Sequence, residues 1–470
     1  MKRLKWAIII IVIIVMVLAI YIVRIGGRSY ASQHEEVEVT SIMNQEPIEV
    51  PMPKAYTKYA VDLSVNPDGA SFTGIANILY THQYQRPTEE IAINSSNIEI
   101  KEIQIHAATV PFEQKGFITV IESPFEIKKD GEITLTVQFT GTLAHDERNP
   151  IEVASASGFL PTIPEYSERY GWNKASDEKV DKVRIQEPGD YEVTIHTYKG
   201  QYPIATGTMN GVSKKDNIIT TSFSAKRVRD FGIFIGPFME REVFNTQEGY
   251  SVVLYYIPGS SFTEETVSMI RKSLGNYCSI LGEYPYNELT VIHRSGTGGG
   301  VAYPTMILGD FKKEQGSYAE INKLVGQQWL YYIIGKDKQD HWISEGLLEY
   351  LNKKFVFSEG QMESYIGEQK KIEQEQKIVD PKGKNSIHTY NELAIRMLYE
   401  IEKRIGEKEF EEVLRVYYKD YSFQMPTGKE FIQLIEKTTG IDTTHIYNHW
   451  IHKMELRESE DYESSYTSSW

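Results

Sequence analysis

The chain has one cysteine, Cys278, which excludes an intramolecular disulfide framework and a cysteine-rich metal site. Its 34 glycines and 18 prolines are too few among 470 residues for a collagenous or low-complexity protein. Basic charge is also short, with 50 Lys and Arg against 65 Asp and Glu. Five of those bases, Lys2, Arg3, Lys5, Arg24 and Arg28, fall in the first 28 positions, which hold no acid. The remainder therefore sets 45 bases against 65 acids. So acidic a body excludes general nucleic-acid binding, because phosphate has to be neutralised by Lys and Arg. Long apolar runs are scarce as well, and there is only one.

That run, residues 6–23, reads WAIIIIVIIVMVLAIYIV and carries no charge. As a helix it spans roughly 27 Å, about one bilayer core. A buried core helix does not need such a run of Ile and Val. A cleaved signal peptide would have a shorter apolar region and a small-residue cleavage site. The run reads as an uncleaved signal anchor contacting membrane lipid, and the basic residues ahead of it favour an inside N-terminus. The pattern implies a single-pass protein of the bacterial cell membrane, with 1–28 as cytoplasmic end and anchor and the body outside. Residues 29–54 form a polar, acidic tether with two close prolines and no helical period. The one His-Glu dipeptide, His34-Glu35, lies in it without a second histidine.

The body changes period part-way. From 55 to 245 it alternates with period two in YAVDLSVN, GIANILYTH, EITLTVQFTG, DYEVTIHTY and IITTSFSAK, separated by turn signals such as NPDG and KKDG. This predicts a sandwich-like β domain. SVVLYYIPG is a further strand opening the second half, and NELTVIHRSG another. From 263 the period becomes 3.6, and amphipathic helices are expected over 317–335, 341–355, 390–406, 407–421 and 428–440. Thr263-Glu264-Glu265 marks one helix start. The second domain runs over 246–457, and 458–470 is a polar tail. The fold class is α+β, a β domain followed by a mostly helical one.

Three smaller patterns have bland readings. GTGGG at 296–300 lacks the Lys-Ser/Thr and the following helix of a phosphate loop, and reads as a flexible rim. KKIEQEQK at 370–377 reads as a solvated helix face. His445 and His449 stand one helical turn apart, with His452 nearby; the spacing can clamp a metal, but no glutamate follows His445, and a surface or packing role is the plainer reading.

Other segments carry a resemblance. Gln327-Gln328-Trp329-Leu330 followed by Trp342-Ile343-Ser344-Glu345-Gly346 resembles the zinc-binding region of the membrane alanyl aminopeptidase (aminopeptidase N-like) family, a branch of the gluzincin metallopeptidases. Gly299, Gly300, Val301, Ala302 and Tyr303, continuing to Ile307, resemble its substrate-binding edge strand. Tyr390 stands where the family has a catalytic tyrosine at a helix start. The β half ending in RDFGIFIG is similar to the family's saddle domain. The resemblance covers 55–455 in order, without a large C-terminal helical array, and so implies a short-form member with a thermolysin-like second domain.

The chemistry that the resemblance implies is mostly missing. The family holds zinc with two histidines at i and i+4 and a glutamate from the next helix, and a glutamate after the first histidine is the general base. The matching positions here are Lys323, Gln327 and Glu345 for the ligands and Leu324 for the base. The edge-strand glutamate that would hold a substrate amine is Ala302. Between 294 and 387 the only histidine is His341, so no shift of register restores a ligand pair. The expected protein is a pseudopeptidase without cofactor that binds a peptide or protein partner in a relict cleft. The alternatives are a working zinc aminopeptidase with displaced ligands and a structural subunit of a membrane complex. Lys323 is expected to pair with Glu345 where zinc would sit.

Overall fold

A computed structural model describes residues 56–454, apart from 144, 147–148, 156–157, 169–170, 175–185, 260–261, 295–299, 312–317, 336–339, 341 and 380–389. The anchor, the tether and the polar tail lie outside the described residues, as does Gly299. Among the described residues no helix is long and apolar enough to cross a membrane.

The period-two segments form the strands expected. Thr57–Val65 buries every second side chain without exception. Such a strand hides its apolar face only against other strands, and here it lies at the centre of an eight-stranded sheet. The order, by residue range, is 208–215, 218–228, 189–198, 57–65, 71–81, 132–142, 98–105 and 108–109. Thr57–Val65 pairs in parallel with Gly189–Tyr198 and antiparallel with Ser71–Thr81. Smaller sheets of three and four strands accompany it. Their inner faces share one apolar core, which includes Leu63, Phe72, Ile78, Leu135, Phe139, Val193 and Phe223.

The second half holds more strand than its sequence suggests. A five-stranded sheet runs in the order Glu240–Asn245, Ser251–Tyr256, Glu288–His293, Met306–Gly309 and Gly300–Tyr303. The strand ending at Asn245 bonds into this sheet through a short hairpin with Ser251–Tyr256, so it belongs to the second half rather than the first. The stretch expected as one edge strand over 299–307 is instead a tight hairpin, with Thr305 at φ 58° in its turn. Both hairpin strands are four residues long. The second is buried throughout and so lacks the alternation that would reveal it.

Seven helices of this half lie among the described residues: α1 (Glu264–Ile280), α2 (Tyr318–Gln327), α3 (Leu347–Val356), α4 (Glu359–Val379), α5 (Tyr390–Ile405), α6 (Glu407–Tyr421) and α7 (Gly428–Thr439). A last helix covers 444–454. Thr263 caps α1 through its hydroxyl, and Thr427 with Glu430 forms a capping box on α7. The helices expected over 317–335 and 341–355 are each interrupted. Gln328–Ile333 and Trp342–Gly346 are π-helical turns, where one extra residue per turn is accommodated without loss of the apolar face. Arg229 ties the segment at Gln186 to the turn that follows α6. Its Nη1 donates to the carbonyl of Gln186 and its Nη2 to that of Gln424, at 3.1 and 2.8 Å. Burial pushes this guanidinium down to about 10.

Candidate functional site

Helix α2 carries the two helix positions that the resemblance gives to zinc ligands. Ile321, Asn322, Leu324, Val325 and Gly326 make its buried face, while Glu320, Lys323 and Gln327 are only partly covered. The spacing of those three, i, i+3 and i+7, places them on one side of the helix. Gly326 lets α2 approach its neighbours closely, since a Cβ there would lie 2.3 Å from the Tyr277 ring and 2.6 Å from Leu348.

Lys323 does not pair as expected. Its ammonium forms an ion pair with Glu349, one turn beyond Glu345. Neighbouring contacts show why. The buried Asn322 donates from Nδ2 to Asn352 Oδ1 at 2.9 Å, which sets α2 against α3 rather than against the π-helical turn that carries Glu345. Lys323 keeps 42% of its side chain exposed and Glu349 20%, so water screens the pair. A double-mutant cycle of Lys323→Met and Glu349→Gln, read by denaturant midpoint, should give a coupling of only about 0.5–1 kcal/mol. A coupling of about 3 kcal/mol would mean that the pair is desolvated.

Leu324, at the general-base position, is 5% exposed and belongs to the main core of the second half. It packs on the edge strand: a Cβ added to Gly300 would lie 2.4 Å from Leu324 Cδ1 and 3.0 Å from the carbonyl oxygen of Leu308. The glycine gives the isobutyl group its room, and the base position is filled by hydrocarbon.

The edge strand is also held by side chains. Glu320 accepts a bond from the backbone N–H of Gly300, while burial, helped by Asp310, holds its carboxyl above the ordinary range. The Tyr332 hydroxyl donates to the carbonyl of Ala302 at 2.6 Å. Gln328 is fully buried; its Nε2 donates to the carbonyl of Tyr303 and its Oε1 accepts from the N–H of Thr305, both at 2.9 Å. Sequence reasoning missed Gln328, although a second glutamine where α2 turns its buried face inward was a usable signal. Ala302 and Tyr303 are buried, and Val301 is partly so. Glu345 is partly covered on its π-helical turn, and Tyr390 begins α5.

This arrangement of an eight-stranded sheet, a five-stranded sheet and a helical layer has known counterparts. Residues 55–152 match the family described as Peptidase M1 N-terminal domain. The M1 zinc metallopeptidase of Deinococcus radiodurans superposes with a TM-score of 0.63 at 15% identity, over 84% of this chain and 93% of that one. The fold is that of the M1 peptidases. A glutamate-to-alanine mutant of the Deinococcus enzyme, described as bound to a Tyr-Ser-Ala substrate, superposes with the same score, identity and coverage. A two-domain M1 mutant bound to L-tryptophan gives 0.64 at 15% identity, over 84% and 94% of the two chains. No curated protein matches the chain.

The M1 fold implies zinc, and the donor chemistry here does not fit it. A lysine ammonium has no lone pair for a metal until it loses its proton, and this one is paired with Glu349. A glutamine amide is a poor zinc donor beside imidazole or thiolate. Glu345 alone retains a ligand type.

Proposed function

We propose that this protein is a membrane-anchored, extracytoplasmic relative of the M1 peptidases that has lost hydrolysis and binds a peptide or protein partner. The observation that carries the reading is the filling of the relict centre: Lys323 is committed to Glu349, and Leu324 is packed on Gly300. The first position supplies charge without a metal, and the second supplies nothing that can take a proton from water. An extended peptide adding to the edge strand would meet two groups already occupied, the Gly300 N–H and the Ala302 carbonyl. Recognition therefore falls to the partly exposed side chains of the cleft floor, Lys323, Gln327 and Glu345.

The purified chain, with zinc supplied, should release no N-terminal residue from peptides above the rate in buffer. Chelator-sensitive release that disappears in Glu345→Ala would overturn the reading in favour of a working peptidase with displaced ligands. Read as an anchor with basic residues ahead of it, the apolar run in 6–23 implies an orientation with the body outside. Protease added to intact cells should remove the body, whereas a body protected until the cells are opened would reverse the topology.

A further inference from the structure

The last helix, 444–454, concentrates histidine. His445, His449 and His452 are three of the chain's 11 histidines, and they fall within eight residues. All three are exposed, and their i, i+4, i+7 spacing puts them on one face. The opposite face is anchored by Ile446, Trp450 and Met454, all buried in the main core. Trp450 is fixed further, since its Nε1 donates to Glu400 Oε2 at 2.9 Å and the Arg396 guanidinium lies 4.6 Å from the ring centroid. The helix is thus held on one side and exposes its histidines on the other, with the His449 ring edge-on to Trp450 at 5.4 Å between centroids. Asp442 precedes it, accepts the N–H of Thr444 at 2.8 Å through Oδ1, and lies close enough to His445 to interact with it electrostatically.

We propose that His445 and His449 form an exterior chelate for a borderline divalent transition cation such as nickel, copper or zinc. Imidazoles four residues apart on a helix stand one turn apart, as a two-point chelate needs, and that donor set suits these cations rather than calcium or magnesium. No group of three or more His, Cys, Asp or Glu side chains able to hold a metal ion is present among the described residues. The described residues therefore supply two ligands. Asp442 adds negative charge at one end of the pair. The site is separate from the relict centre in α2 and does not depend on the reading of that centre.

The test is calorimetric titration of the full chain, in detergent, with nickel chloride. The expected result is about one nickel ion bound per chain, with His445→Ala and His449→Ala each weakening it by about tenfold or more, as loss of a chelate partner should. Both positions are exposed, so the variants should keep the parent melting temperature without metal. Lys323→Met and Glu345→Gln should leave nickel binding unchanged. Absence of binding by the parent chain, binding that survives both histidine changes, or binding lost with Glu345→Gln would each overturn the proposal.

Discussion

Leu324→Glu, the change that restores the family's base at its own position, is expected to destabilise the body by about 4 kcal/mol or more. The carboxylate would replace a side chain that is 5% exposed and packed against Gly300, beside the Leu308 carbonyl oxygen. The Gly300 N–H is already taken by Glu320, whose carboxyl is itself held above the usual range. Leu324→Ala should cost about 3 kcal/mol through the cavity it leaves, and Leu324→Met less than about 1.5 kcal/mol. Denaturant midpoints of the three variants give the ranking. A Leu324→Glu protein as stable as the parent would show that the position opens to water, as an active centre requires.

Gln328→Leu should produce the second large effect, a loss of about 1–3 kcal/mol, because it removes a partner from two buried backbone groups and strands the one, an N–H, that has no ladder bond in the hairpin. These are the carbonyl of Tyr303 and the N–H of Thr305, which flank the hairpin turn. Thr305 holds a left-handed backbone there, so the turn has little freedom to find other partners. Amide exchange in 300–309 should accelerate in the variant before exchange in α1 does. Uniform acceleration across the second half would show instead that Gln328 acts only through global stability.

These two side chains show what the sequence could and could not reveal. Strands such as Thr57–Val65 and helices such as α5 and α7 were legible because each buries one face, and burial writes a period into the residues. The hairpin over 300–309 was only partly legible, since its strands are short and the second is covered on both faces. The π-helical turns left no mark, because one added residue barely disturbs an apolar stripe that is buried all round. At the positions that the resemblance gives to two ligands and the base, the residue types Lys323, Gln327 and Leu324 were plain in the sequence. The partner of Lys323 was not readable in the same way. Glu345 and Glu349 both lie on the segment leading through α3, and the choice between them depends on the contact of Asn322 with Asn352.

The fate of Leu324 has the same logic. A leucine at the position that the resemblance gives to the base says only that no proton acceptor stands there. Its packing on Gly300 adds that the space has been closed, and that the glycine-bearing edge strand is now core for the helix. Glu320 and Tyr332 complete this by occupying backbone groups of that strand. Lys323, Gln327 and Glu345 remain only partly covered.

The most direct measurement is the zinc content of the full chain carrying His445→Ala and His449→Ala, which removes the exterior histidine pair from the count. After equilibration with zinc and removal of the excess, elemental analysis should find no stoichiometric zinc. A content of about one zinc per chain, abolished by Glu345→Ala, would place a metal in the relict centre and contradict the account.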